Sequence, residues 1–313
     1  MNRSLIIIFS LIIWSCSQPQ QPIAEPEVFI VVLGIAQDGG YPQTACRKSC
    51  CLPVWQGQAK PEKVVSLGLV DRPHNKVYLF DATPDFRAQL QMLLSYLPQG
   101  DLNSVGGIFL THGHIGHYTG LMHLGREAVG ATEVPVYAMP RMRGFLRQNG
   151  PWSQLVALKN IILKPLTADS TLQLTGNISL EVFLVPHRDE YTETVGFKIK
   201  THSKSALFIP DIDKWDKWDR DIVDEVTQST YAFLDATFYS EDELPGRDMQ
   251  AIPHPFVPET MALFATQPDS IKSRINFIHF NHTNDLLRAS AALQEVRHSI
   301  FRVAREGSVY ALN

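Results

Sequence analysis

The 313-residue chain has no surplus of positive charge. Its 28 Lys and Arg stand against 32 Asp and Glu, a formal net charge of −4. A nucleic-acid backbone therefore has no basic surface to lie on, which argues against a dedicated nucleic-acid binder. Long apolar runs are missing as well. The run at the start, Leu5 to Trp14, spans ten residues, where a membrane-crossing helix needs about 20. No internal repeat or low-complexity tract appears beyond a short Pro/Gln-rich stretch. Cysteine is scarce, at four residues, and three of the four fall between Cys46 and Cys51. What remains is an ordinary share of apolar and charged residues, enough for a sizeable core in one domain of this length.

The first residues stand apart. "MNRSLIIIFSLIIWSC" sets Arg3 before the apolar run and Cys16 after it, the pattern of a lipoprotein signal peptide over residues 1–16. Ile13-Trp14-Ser15-Cys16 resembles a bacterial lipobox, and no small-residue A-x-A cleavage site competes with it. This predicts a lipidated Cys16 and a membrane contact made through the lipid alone. A polar Pro/Gln tether follows over 17–27, and the third segment, 28–313, reads as one domain. Export to the cell envelope is expected, with Ser17 in place of an aspartate favouring the outer membrane.

Beyond the tether, "VFIVVLG" (Val28 to Gly34) is a β-branched run closed by glycine, a buried strand. Further strands are expected at 64–70, 77–80, 107–110, 178–185, 194–200, 206–209, 232–234 and 275–279. Helices are expected at 85–97, 118–129, 219–227, 258–266 and 285–296. Runs of neighbouring strands broken by isolated helices do not suit regular βαβ winding. They suit an α+β fold of two packed sheets with helices outside.

Chemistry concentrates in "FLTHGHIGHYTGL" (Phe109 to Leu121). His112 and His114 are two apart, so in extended backbone both rings face one side, and His117 begins a helix that turns it towards a second point. Clustered imidazoles seldom have a packing reason and commonly hold metal. His187, Asp211 and His279 each end an apolar strand, where a rigid scaffold can present them to the same place. Cys46, Cys50 and Cys51 suit either a disulfide with one thiol over or a tetrahedral zinc completed from elsewhere.

"THGHIGH", followed in order by His187, Asp211 and His279, resembles the metallo-β-lactamase superfamily, whose signature is H-x-H-x-D-H with a later histidine, aspartate and histidine. The resemblance covers nearly everything after the tether. It implies an αββα sandwich with metals at one edge. His112, His114 and His187 would hold the first metal, His117 and His279 the second, and Asp211 would bridge them. Within the superfamily, "LGIAQDGGYPQTAC", "VPHRDEYTETVGF" and "IHFNHTNDLL" resemble the B proteins of pyrroloquinoline quinone biosynthesis and their cousin, the cyclic phosphodiesterase of phosphonate degradation. The cousin implies a structural zinc on Cys46, Cys50, Cys51 and His282. The cysteine spacing differs from the cousin's, because Lys48 stands where a ligand is expected.

One departure matters. Gly116 occupies the place of the signature aspartate, which weakens the second metal site, and Asp38 or Asp213 is the candidate substitute. His254 is expected to overhang the site and touch substrate, and Asp235 to support a ligating histidine. Asp81 and Asp85 read as turn and helix-cap residues. The resulting expectation is a hydrolase whose metal-bound hydroxide attacks a phosphodiester or other ester of a small-molecule substrate, with Asp211 and His117 central to catalysis. It would carry one or two catalytic divalent metals (zinc, or manganese or iron) and one structural zinc. Two alternatives stand beside it: a B-protein-like, iron-dependent oxidoreductase, and a non-catalytic lipoprotein that keeps only the structural zinc.

Overall fold

A computed structural model describes residues 26–313. The signal peptide, Cys16 and most of the tether lie outside the described residues. Fourteen strands form two sheets of seven, the αββα sandwich expected from the resemblance. The first sheet contains β1 (Val28–Gly34), β2 (Ser66–Asp71), β3 (Lys76–Phe80), β4 (Val105–Phe109), β5 (Val134–Ala138) and β6 (Ile161–Pro165). The second contains β7 (Ser170–Thr175), β8 (Ile178–Leu184), β9 (Val195–Lys200), β10 (Ser205–Ile209), β11 (Tyr231–Asp235), β12 (Ile275–Ile278) and β13 (Arg302–Val303). β14 (Val309–Ala311) returns to the first sheet and pairs antiparallel with β1.

Alternate residues of each strand face opposite sides, so a strand buried on both faces needs an unbroken apolar run. In β1, Ile30 and Val32 join the core between the sheets, while Phe29, Val31 and Leu33 join a second core under the outer helices. Phe80 of β3 lies at the centre of the inter-sheet core, its ring 5.3 Å from Phe109 and 5.5 Å from Phe197 of the facing sheet. The helix Phe86–Leu94 covers the outer core with Phe86, Leu90 and Leu93. Among the described residues no helix is long and apolar enough to cross a membrane.

Strand direction decides where the site lies. β3 and β4 are parallel, and β1 runs with β3 because each is antiparallel to β2. In the other sheet β10, β11 and β12 are parallel, and β8 runs with β10 because each is antiparallel to β9. The C-terminal ends within each of these two sets therefore emerge along one edge.

The helix expected over 118–129 is not continuous. A single turn, Ile115–Tyr118, passes into a 3-10 helix, Thr119–Leu124, in which Leu121 and Leu124, three apart, are both buried. Gly120 shows why the chain is tight here, since a Cβ there would come within 2.1 Å of the Thr83 carbonyl oxygen. β6 and β7, absent from the expected strands, are edge strands; β7 has modest apolar content, the short run of Ile161, Ile162 and Leu163 in β6 stops at Lys164 and Pro165, and β5 carries Pro135, which hides its pattern.

Phe80→Ala leaves a large hole between the sheets and is expected to cost about 3–5 kcal/mol in chemical denaturation. Phe80→Leu, which keeps more volume, is expected to cost clearly less.

Candidate metal centre

Seven strand ends deliver the site. β4 leads into Thr111, His112 and His114, β8 into His187, β10 into Asp211 and β12 into His279. β1 leads into the loop of Asp38, β3 directly into Asp81, and β11 ends on Asp235. The β1 loop is stitched to the end of β12 by Phe280 N–H to the Ile35 carbonyl and Gln37 N–H to the Phe280 carbonyl, both 2.8 Å. That stitching brings Asp38 beside His279.

Two donor groups share one edge. His112, His114 and His187 form the first, and Asp38, His117, Asp211 and His279 the second. Asp211, 3% exposed, stands between them. Its Oδ2 lies 3.0 Å from His117 Nε2, 3.2 Å from His279 Nε2 and 3.6 Å from His112 Nε2, and its Oδ1 is 3.7 Å from His187 Nε2. Donors about 2.1 Å from a shared tetrahedral ion would be roughly 3.4 Å from one another. The observed separations bracket that value.

The other ring nitrogens are engaged, which sets the tautomers. His117 Nδ1–H donates to Asp81 Oδ2 (2.8 Å), His112 Nδ1–H to Thr111 Oγ1 (3.0 Å) and His279 Nδ1–H to Thr237 Oγ1 (2.8 Å). The two threonine hydroxyls donate onward to Asp81 and Asp235. Each of these rings thus turns its Nε2 towards the centre. His112 Nε2 lies only 2.8 Å from His114 Nδ1, lone pair against lone pair unless a cation or proton sits between. Asp38 Oδ1, His117 Nε2, His187 Nε2, Asp211 Oδ2 and His279 Nε2 are all buried without a well-formed hydrogen bond. Such a set of orphaned donors fits divalent metal ions.

Electrostatics show a centre that draws positive charge: against the opposing pull of burial, Asp81, Asp211 and Asp38 hold His117 well above the usual histidine range, and Asp211, Asp38 and Asp235 hold His279 above it. Burial, reinforced by neighbouring imidazoles, holds His112 well below the usual histidine range, leaving it neutral. Burial alone would discharge Asp211, yet the surrounding histidines, His279 and His187 foremost, keep it well below the usual carboxylate range. Asp38 behaves likewise, burial being outweighed by the neighbouring rings of His117 and His279.

Gly116 now has an explanation. A Cβ at that position would lie 2.1 Å from Asp38 Oδ1 and 2.7 Å from Asp38 Cα. Asp38 occupies the space that a side chain at 116 would need, so the fourth donor of the second group arrives from the β1 loop. Asp213, the other candidate, instead stands by the first group, its Oδ1 3.4 Å from His187 Nδ1.

Two expectations change. Asp81 is not merely a turn residue; it is the fully buried partner of His117, held at φ +68° at the end of β3. Nothing in "LFDATPDF" marks that role except the strand end. Asp85 makes no side-chain cap for the helix it precedes and accepts from Val64 N–H at 2.8 Å. Asp235 does support the site, accepting from His254 Nδ1–H at 2.8 Å and reaching His279 through Thr237. His254 is buried, with its ring 5.4 Å from that of His187 and 5.9 Å from that of His279.

A separate group joins the same two loops. Cys46 Sγ lies 3.8 Å from Cys50 Sγ, which lies 3.9 Å from Cys51 Sγ, and His282 Nδ1 is 3.3 Å from Cys51 and 3.6 Å from Cys50. These thiols are free, since a disulfide would bring sulfurs to about 2.05 Å. Thiolates about 2.3 Å from a tetrahedral zinc stand roughly 3.8 Å apart, as they do here. Burial pushes the Cys51 thiol up to about 12, so a cation is needed to keep it charged.

Comparison with known proteins adds to the geometry. Residues 76–280 match the Beta-lactamase superfamily domain. The coenzyme PQQ synthesis protein B of Ruegeria pomeroyi is 26% identical over 301 residues, covering 89% of this chain and 98% of that protein. Its namesake from Xanthomonas euvesicatoria pv. vesicatoria is 28% identical over 312 residues, covering 90% and 99%. Among solved structures, Zn(2+)-bound PqqB from Methylobacterium extorquens superposes with a TM-score of 0.77 at 23% identity, covering 91% of this chain and all of that one. A diphosphatase from the PhnP family superposes at 0.62 with 17% identity, covering 90% and 96%.

Gly116→Asp alone is expected to displace Asp38 and reduce metal bound by the second group. The exchange Asp38→Gly with Gly116→Asp is expected to recover it, with metal content per chain as the readout. His282→Ala is expected to release one zinc on mild chelation and to lower the thermal midpoint, while the histidine centre keeps its metal.

Proposed function

The chain belongs to the β-lactamase superfamily, and on that premise we propose that it is a metal-dependent hydrolase acting on a phosphodiester or other ester. The observation that carries this reading is the second donor group, complete in spite of Gly116 because Asp38 supplies the missing carboxylate.

In this reading His112, His114 and His187 hold one divalent ion, and Asp38, His117 and His279 hold another, with Asp211 shared. Bound divalent cations would supply a water of lowered pKa and a counter-charge for an ester oxygen. The chain's own residues do the rest. Asp81 fixes the ring of His117 and Thr237 that of His279, so the Nε2 lone pairs cannot turn away. His254, its Nδ1–H committed to Asp235, would in its doubly protonated form have an Nε2–H to give to the departing oxygen. A structural zinc on Cys46, Cys50, Cys51 and His282 would pin the β1 loop that carries Asp38. The lipid anchor expected at Cys16 would keep the domain in the cell envelope.

A second reading, a metal-dependent oxidoreductase, draws on the coenzyme PQQ synthesis protein B relatives. Metal identity separates the two, because redox-active iron suits oxygenation and zinc or manganese suits hydrolysis.

The test is metal analysis together with hydrolysis of bis(p-nitrophenyl) phosphate by residues 26–313. Hydrolysis is expected with zinc or manganese, and His112→Ala/His187→Ala is expected to lose at least a hundredfold of it while retaining one zinc. Iron as the bound metal with no hydrolysis would favour the oxidoreductase. One zinc per chain, unchanged in the double variant, would leave a non-catalytic domain.

A further inference from the structure

A cavity of about 630 Å³ opens between the two metal-type clusters. His254, partner of Asp235 at the histidine centre, forms part of one wall, and His282 of the cysteine group part of another. Lys48, Arg188 and Arg247 also line it, and none of its lining residues is acidic. Among the described residues none of these three cations has a carboxylate partner within 4.0 Å. In a chain with a net charge of −4, the lining of this hollow carries three cations and no acid, a local excess of positive charge.

Each cation is positioned by part of the site. Lys48 lies inside the loop of Cys46, Cys50 and Cys51, where the resemblance to the phosphodiesterase expected a ligand. Burial raises the Cys46 thiol but is outweighed by hydrogen bonds from the Lys48 backbone, Cys51 and Cys50, to which the Lys48 charge adds a smaller lowering; that charge also reinforces the lowering of His282 by burial. Arg188 directly follows His187, and Arg247 lies in the segment that leads to His254. Forming the cysteine cluster therefore also orders one wall of the cavity.

We propose that this cavity receives a second anionic group of the substrate, distant from the bond that is cleaved, with Lys48, Arg188 and Arg247 as its counter-charges. The proposal rests on the hydrolase reading and narrows its substrate to small organic esters bearing a further phosphate or carboxylate. Two guanidinium forks favour phosphate, whose oxygens accept paired N–H bonds. Such a group held beyond His254 would also orient the ester towards the histidine centre.

The experiment is calorimetric binding of α,ω-alkanediol bisphosphates with three to eight carbons to the metal-replete protein, against alkyl monophosphates of equal length. ω-Carboxyalkyl phosphates form a third arm that separates phosphate from carboxylate recognition. At least one bisphosphate length is expected to bind about tenfold more tightly than its monophosphate, an ordinary gain for charge-assisted contacts. In Lys48→Ala/Arg247→Ala the gain should fall below twofold; both side chains are exposed, so their loss opens no cavity in the core. A carboxylate arm that equals the bisphosphates supports the anion site and removes the preference for phosphate. No gain at any length, or a gain that survives the double variant, overturns the proposal. Turnover of bis(p-nitrophenyl) phosphate, which has no second anionic group, reports separately on the hydrolase reading.

Discussion

The centre is organised around a carboxylate taken out of water. Asp211 is nearly inaccessible, and five imidazoles, those of His112, His117, His187, His254 and His279, stand within 3.7 Å of its two oxygens. An isolated charge in that position would be very costly, and neutral rings with lone pairs turned inward do not relieve it. Only positive charge at the middle of the cluster does, whether protons or metal ions. The second layer fits that demand: Asp81, Thr111, Thr237 and Asp213 all stand behind the histidines, on the sides away from the centre.

Asp38 and Gly116 compete for one volume beside the second donor group. What an ion requires is a carboxylate oxygen at a point in space. Here the oxygen arrives from the β1 loop, and the helical position that would otherwise carry a side chain is empty because Asp38 fills it. The two positions are 78 apart in the chain (116 − 38) and mutually exclusive in space. A carboxylate can come from one position or the other, but not from both at once.

The loops after β1 and β12 serve both clusters. One contributes Asp38 and then the three cysteines; the other contributes His279 and then His282. Backbone bonds at Ile35, Gln37 and Phe280 join them. A zinc closed over four such ligands would tie together two segments that also carry the second donor group. The two donor clusters are thus coupled through a short length of chain, and Lys48 extends the coupling to the cavity wall.

The histidine motif, the strand-end His187, Asp211 and His279, and the cysteine cluster were legible in the sequence, because each depends on local pattern: spacing by two, an apolar run with a ligand at its end, three thiols on one loop. The two-sheet architecture was legible for the same reason. Edge strand β7 was not, since a strand exposed along one side needs no apolar run, and β6 was not, since its run of three aliphatic residues is cut off at Lys164 and Pro165. Asp81 was hidden because a buried acceptor and a turn aspartate look alike until the neighbouring strand is known. Asp38's part in the centre, the reason for Gly116, and the acid-free cavity were decided by tertiary structure alone. Each is a relation between segments far apart in the chain, set by parallel strand direction and by the space one residue leaves for another.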